Sequence, residues 1–557
     1  MISLSRMPNR RASSNQSLGF AVIAMLAIVA PLACVSQVQA QSGTSANFSD
    51  QAASIGGQFS NSSFAPSPAA GGQTFQQFQQ APVYQPTQQY QPQFQQYQPQ
   101  QYQQFQTVDS PVYQSVAQVA PAEMEKKKFT PGKSHKVVFY ANDFSYLTDP
   151  AYEGPRYLGD AFKGIGPRGN LDIGGQLRLR YNSENSLGQQ AGATRFQDTQ
   201  NDFLLGRLRL YADWKITDRI RVYVEGIYAD VLTQNSEYIP RGIDINQGDL
   251  QNAFVDLQIT DNATVRAGRQ ELLFGSQRVI SPLDWANTRR TFQGVRLLQR
   301  FEDVNIDWFY TQIVDVAPTD FDDANEDNEF FGFYSSFKNV RNSTLDLYAL
   351  GSLVSTGSPA DRSTVTFGSR INGSRNQWLW DFEGAVQTGS FDSGGDIEAG
   401  FWTAGLGRSF ENLAWKPKLW FYYDFATGDR ADGDTQSFNE LFPLGHKYLG
   451  FTDSVQRNNI KSPNIFLTAK PRDRLTFIAW YHNFQAAEEE DTILSLGGTP
   501  AQDLTTTDFG NEIDLLLNFQ ATPRSNIIAG YSHFFVGDRI IGGEDADFFY
   551  LTFQQNF

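Results

Sequence analysis

The chain has 557 residues, 44 basic against 60 acidic side chains, a formal charge of −16 at pH 7, and 14 % aromatic residues. Such an acidic balance excludes nucleic acid as a partner. With Cys34 as the single cysteine, a disulfide framework and a thiolate metal site are excluded too.

The N-terminus names a compartment. Arg6, Arg10 and Arg11 precede the apolar run "GFAVIAMLAIVAPLACV" (19–35), and "VQAQ" places Ala40 at a cut. A basic region, a short apolar run and a small residue predict a cleaved secretory signal peptide over 1–40. A transmembrane anchor is the alternative, but a run of roughly 17 residues broken by Pro31 falls short of the ~20 needed to span. A lipoprotein cut before Cys34 is disfavoured by Pro31, which stands where a leucine is expected. Cleavage removes three arginines and no acid, moving the charge from −16 to −19.

Residues 51–108 carry no charged side chain, and 73–106 are glutamine mixed with Pro, Tyr and Phe, as in "QPQFQQYQPQQYQQFQ". Such a tract buries too little apolar area to offset chain entropy, so 41–133 is expected to be a disordered arm. Placed in the periplasm, it serves either as a flexible spacer or as a contact to cell wall or a periplasmic partner. A pre-barrel periplasmic segment is assigned to 134–169.

From residue 170 to 557 the pattern is constant. In "GRLRLYADW" (206–214), Arg207, Arg209, Tyr211 and Asp213 alternate with Leu208, Leu210, Ala212 and Trp214, the period of a strand. Similar stretches recur, separated by eight short turns such as "ITDR" (216–219) and "PRDR" (471–474), and by nine mostly longer gaps such as 232–248, 273–290 and 428–460. Seventeen connections give eighteen strands. Short turns on one side and long loops on the other predict an all-β fold, an antiparallel up-and-down transmembrane β-barrel in the outer membrane. Pairs such as Trp378/Trp380 and Phe421/Tyr423 suit its lipid face. The last strand, "FFYLTFQQNF", ends on Phe557 and is expected to engage the barrel-assembly machinery.

A charged side chain facing lipid at mid-membrane costs ~2–4 kcal/mol, so the alternating arginines must face the lumen. This register turns Arg178 and Arg180 ("GGQLRLRYN"), Arg207 and Arg209, Arg221 ("RIRVYVEG"), Arg266 ("TVRAG") and Arg296 ("GVRLL") inward. A cationic wall in a low-dielectric tube attracts anions, and arginine's planar fork grips carboxylates in a bidentate way. The alternative is that these arginines merely pair with lumenal acids such as Asp213 and Glu225. Acids concentrate in predicted external loops, "DVAPTDFDDANEDN" (315–328) and "EEED" (488–491), which read as solvated surface and fit no EF-hand pattern.

The stretch "RAGRQELLFGSQRVISPLDWANTRRTFQGVRL" (266–297) resembles a signature of the alginate export family of outer-membrane barrels, and "LFPLGHKYLGFTD" (441–453) resembles a second. The resemblance covers roughly 170–557. It implies a monomeric eighteen-strand barrel that exports an acidic polysaccharide through an arginine-rich constriction, with Arg266, Arg269, Arg278, Asp284, Arg289, Arg290 and Arg296 at matching positions. The glutamine-rich arm departs from the family pattern. Read physically, the 273–290 connection either folds inward as a cationic constriction or outward as an ordinary loop with an internal ion pair.

The function read from the sequence is therefore a channel for small anions or a uronate-type polysaccharide, in contact with outer-membrane lipid, and with no cofactor or metal. The alternatives are an adhesin or structural barrel using its acidic loops, and an outer-membrane enzyme. His135, His446, His482 and His533 have no Ser or carboxylate partner at a catalytic spacing, which argues against an enzyme. His446 is expected to make a structural or ligand contact, and His482 and His533 could face the lumen but lie on different strands.

Overall fold

The computed structural model describes residues 134–149, 152–430 and 434–557. The expected signal peptide and glutamine-rich arm lie outside them. Two-residue alternation produces strands throughout the rest. In chain order they are β1 Leu171–Asn185, β2 Gln200–Lys215, β3 Ile220–Gln234, β4 Asn246–Thr260, β5 Ala263–Gln270 and β6 Phe292–Arg300. The middle of the chain forms β7 Val304–Asp315, β8 Asp323–Val340, β9 Ser343–Val354, β10 Arg362–Arg375, β11 Trp378–Phe391 and β12 Asp396–Ser409. The last six are β13 Lys418–Ala426, β14 Ile460–Arg472, β15 Leu475–Ala486, β16 Asp508–Thr522, β17 Ser525–Val536 and β18 Ala546–Asn556.

Each strand pairs antiparallel with its chain neighbours, and β1 closes on β18 to leave an 18-stranded barrel. Closure removes the unpaired strand edges that a bilayer would not tolerate. The eight short turns lie on the rim that also holds the end of β18, and the nine other connections lie on the opposite rim. One predicted loop is shorter than expected. Residues 323–328 of the acidic 315–328 stretch belong to β8, where Asp323 and Ala324 extend the ladder opposite Asp315 and Val314.

Burial follows the alternation. Leu177, Tyr181, Leu208, Leu210 and Trp214 are 37 to 50 % exposed on the outer wall, while Arg178, Arg180, Arg207 and Arg209 are at most 3 % exposed inside. The interior is not an empty tube. A buried cluster joins Leu272, Phe274, Ile280 and Trp285, all from the β5–β6 connection, to Leu444, Leu449 and Phe451 from the β13–β14 connection. Inward-facing wall residues such as Phe309, Tyr334, Phe466 and Trp480 complete that cluster.

Leu208→Arg and Leu210→Arg are expected to impair insertion by ~2–4 kcal/mol each if they lie at mid-membrane. Heat-modifiable migration after refolding into vesicles measures this; insertion equal to the unaltered chain would show that the outward assignment is wrong.

Candidate functional site: an arginine wall and an inward loop

β5 and β6 are short, 8 and 9 residues, because the chain leaves the wall early at both ends of the connection 271–291. Every residue of that loop except Gly275 is buried. The loop folds into the barrel, which decides between the two arrangements the sequence allowed. Gly275 makes the entry turn at φ +47°, where a Cβ would collide with the Tyr334 hydroxyl.

Four wall arginines take hold of the loop's tip. Arg178 donates to the carbonyls of Asp284 (2.6 Å), Trp285 (3.1 Å) and Ala286 (2.5 Å). Arg180 donates to the Trp285 carbonyl (2.8 Å) and lies 3.7 Å from the centre of the indole. Arg207 donates to the Asp284 and Ala286 carbonyls (3.1 and 3.0 Å) and to the Asp284 carboxylate (2.8 Å). Arg209 pairs with Glu225 at 2.5 Å and reaches Glu271 and Asp284 at 3.7 and 3.9 Å. Arg289, on the loop itself, is ion-paired with both Asp284 and Glu271.

Arg178 and Arg207 are direct cross-strand partners, a like-charge arrangement that would ordinarily destabilise the sheet. Here both forks converge on the same carbonyl oxygens, and charge-assisted bonds of this kind are roughly twice as strong as neutral ones. Two further loop arginines reach other elements. Arg278 meets Asp381 (3.0 Å) and Glu383 (2.8 Å) on β11, and Arg290 donates to the Ser281 and Pro443 carbonyls.

The remaining expected site residues are placed apart from this cluster, each paired with a carboxylate. Arg221 forms a bidentate pair with Asp213 (2.6 and 2.7 Å), and Arg266 forms one with Asp256 (2.7 and 2.8 Å). Arg296 pairs with Asp307 at 2.9 Å. Arg269 pairs with Asp249 at 2.9 Å and donates to the Asp322 carbonyl at 2.7 Å. For these, and for Arg209 with Glu225, pairing with lumenal acids is what the structure contains. Arg178, in contrast, bonds to backbone oxygens alone.

Sequence reasoning missed the loop's second attachment. The 441–453 stretch runs alongside the tip: Ser281 N–H donates to Phe442 O (2.8 Å), Phe442 N–H to Val279 O (2.9 Å) and Leu444 N–H to Gln277 O (2.9 Å). The Trp285 indole stacks on His446 (4.9 Å, 11°), which stacks on Phe451 (4.3 Å). Gly450, at φ +85°, lets the chain pass against the Glu512 carboxylate, which accepts from Thr452 N–H at 2.7 Å. The available signal was the apolar content of both stretches, which an external loop would leave wet. His482 is buried facing inward near Asp514 (3.8 Å). His533 does not face the lumen: it shares the outer face with Tyr531 and Phe535 and bonds to Asp547 at 2.8 Å.

With this geometry in view, comparison with known proteins is decisive. A family model described as alginate export matches residues 170–553. The chain belongs to the alginate export family. Among solved structures, Pseudomonas aeruginosa OccK9 (OpdG) is similar at 13 % identity and a TM-score of 0.50, covering 70 % of this chain and 98 % of that one. Acinetobacter baumannii OccAB3 is similar at 12 % identity and a TM-score of 0.50, covering 69 % of this chain and 99 % of that one. None of the curated proteins compared matches this chain. The protein is an outer-membrane β-barrel, a porin-like channel of the alginate export family.

Asp284→Ala should leave Arg207 and Arg289 short of their carboxylate and weaken the loop's hold by about 3–5 kcal/mol, the usual effect of breaking a buried ion pair. Hydrogen exchange over 276–290 should rise sharply, whereas exchange equal to the unaltered chain would contradict the clamp.

Asp322 lies in the 316–322 connection that Arg269 holds, and burial pushes its carboxyl up to about 6 despite the Ala317 N–H it accepts. For a raised acid, the penalty on the docked loop is fully present above about 6 and fades as pH falls toward the ordinary value of 3.8. The protection factor of 316–322, taken relative to the intrinsic exchange rate at each pH, is therefore expected to rise from pH 7.5 to pH 5 by roughly one order of magnitude. Asp322→Asn should remove that dependence; its persistence in the variant would assign it to another group.

Proposed function

We propose that the barrel passes anionic solutes, or a polysaccharide bearing carboxylates, along the β1–β2 arginine wall. The observation that carries this reading is the grip of Arg178, Arg180 and Arg207 on three consecutive carbonyl oxygens and one carboxylate of the inward loop. A wall that already holds an oxygen-bearing strand has the donor geometry to hold another. Bidentate guanidinium donors favour carboxylates over neutral sugars, and their fixed charge raises the local anion concentration. Arg221, Arg266, Arg269, Arg278, Arg289, Arg290 and Arg296, with Asp284, extend the proposed path on either side of the clamp. The carboxylate partners of Arg221, Arg266, Arg269, Arg278, Arg289 and Arg296 temper the field, so Arg178, bonded to backbone carbonyls, is assigned the largest share of selectivity.

The barrel acts as a channel rather than an enzyme in this reading, and as a monomer. Its final strand, where Phe557 exchanges backbone hydrogen bonds with Gly175, is the element we assign to the assembly machinery. The glutamine-rich stretch is assigned to periplasmic or cell-wall contact.

In planar bilayers under a salt gradient, the purified channel should prefer anions. Replacing Arg178 and Arg180 together by glutamine should lower the anion-to-cation permeability ratio several-fold while insertion stays intact. An unchanged ratio in the inserted variant, or cation preference in the unaltered channel, would refute the arginine path.

A further inference from the structure

The segment just before the barrel does more than tether it. Residues 134–149 form two short 3-10 turns, Phe139–Ala141 and Ser145–Thr148, and no barrel strand pairs with them. A simple spacer at this point would be wet. Instead Val138, Phe139, Tyr140, Phe144, Tyr146 and Leu147 are buried, in one cluster with Tyr211, Tyr223, Phe254 and Leu273.

The seat is a built surface. Tyr211 on β2, Tyr223 on β3 and Phe254 on β4 stack nearly parallel, 5.8 and 5.2 Å apart and 18° from coplanar at each step. All three point inward within a few residues of the short turns, hence at the periplasmic mouth. Phe139 lies on Tyr211 at 5.7 Å, and Tyr140 meets Tyr223 and Phe254 edge-on at 5.9 and 5.4 Å. Arginines grip the same two residues. Arg209 sits 3.8 Å from the Phe139 ring centre and Arg266 4.4 Å from that of Tyr140, while Arg221 donates to the Tyr140 carbonyl at 2.6 Å.

The segment also touches the inward loop. The Tyr140 hydroxyl donates to the Glu271 carbonyl at 2.7 Å, and Arg289 donates to the Val137 carbonyl at 3.2 Å. On its far side, Arg524 in the β16–β17 turn donates to the Tyr146 hydroxyl at 2.7 Å. The segment is thus anchored at β2–β4 and at β16–β17, and covers Arg209, Arg221 and Arg266 from the periplasmic side.

We propose that residues 134–149 are an autoinhibitory stopper of the periplasmic mouth, seated on the Tyr211–Tyr223–Phe254 stack and bracing the inward loop from below. Its hold includes ring contacts and hydrogen bonds that involve side chains, and among the described residues no strand of the sheet forms a ladder with it. It can therefore leave its seat while every strand pairing of the barrel remains intact. Withdrawal would uncover Arg209, Arg221 and Arg266 and release Glu271 and Arg289, loosening both ends of the loop at once. This goes beyond the anion reading, because a stopper limits current whatever ion the open pore prefers.

The test uses the full mature chain in planar bilayers, with Phe139 and Tyr140 both replaced by alanine. The mean current at fixed voltage should rise several-fold over the unaltered channel. A synthetic peptide of residues 134–149, added on the periplasmic side, should return it toward the original level. Deleting residues 41–149, checked for insertion by heat-modifiable migration, should raise the current at least as far. Equal current in the unaltered and double-alanine channels would overturn the stopper, and so would an increase that the peptide does not reverse. Ion preference is read separately from the reversal potential, so failure of the anion reading leaves this result distinguishable.

Discussion

The arrangement inside the barrel depends on the contact between wall guanidiniums and the backbone of residues 284–286. Desolvated arginines are tolerable only where fixed oxygens replace their water. The inward loop supplies those oxygens as consecutive carbonyls, with the Asp284 carboxylate beside them. The dependence is mutual. An irregular 21-residue connection carries unpaired backbone carbonyls into the barrel, and the wall arginines satisfy those at its tip. The loop and the wall thus satisfy each other's polar groups.

A second constraint follows from crowding many charges into one space. Most wall arginines have a carboxylate partner within one or two strands, as with Arg221 and Asp213, Arg266 and Asp256, or Arg296 and Asp307. Such pairs hold side chains in place and dilute the positive potential. Arg178 is bonded to carbonyls and has no direct ion pair with a carboxylate among the described residues. In the proposed anion path, selectivity is assigned above all to Arg178 among the residues that hold the loop. The family signatures are understandable on the same basis: the two stretches meet in space, through the hydrogen bonds around Phe442 and the Trp285–His446–Phe451 stack.

Much of the architecture was legible in the sequence because a barrel's constraints are local. Period two sets which face each side chain takes, and loop length sets which rim a connection occupies, so eighteen strands and the inward set of arginines could be read directly. The direction of the 273–290 connection was not legible. Arg278, Asp284, Arg289 and Arg290 can satisfy one another outside as well as inside, and only the apolar residues around them, Leu272, Phe274 and Trp285, disfavour water. Asp381 and Glu383, the carboxylate partners of Arg278, come from β11, whose distance in space from the loop depends on the whole closed sheet. His533 was readable by parity with Tyr531 and Phe535, yet its polarity suggested the lumen; the Asp547 beside it on the outer face accounts for its placement.

The most direct test of the account asks whether the arginine wall holds the loop inside. A single cysteine at position 286, in a chain whose Cys34 is replaced by serine, reports this through its reaction with a bulky, membrane-impermeant maleimide added from outside. Ala286 is fully buried beneath the forks of Arg178 and Arg207, so Ala286→Cys should remain unlabelled in the otherwise unaltered barrel. Adding Arg178→Gln and Arg207→Gln should make it label readily while the barrel still migrates as folded. Rapid labelling before the arginines are changed would place the loop outside and contradict the account.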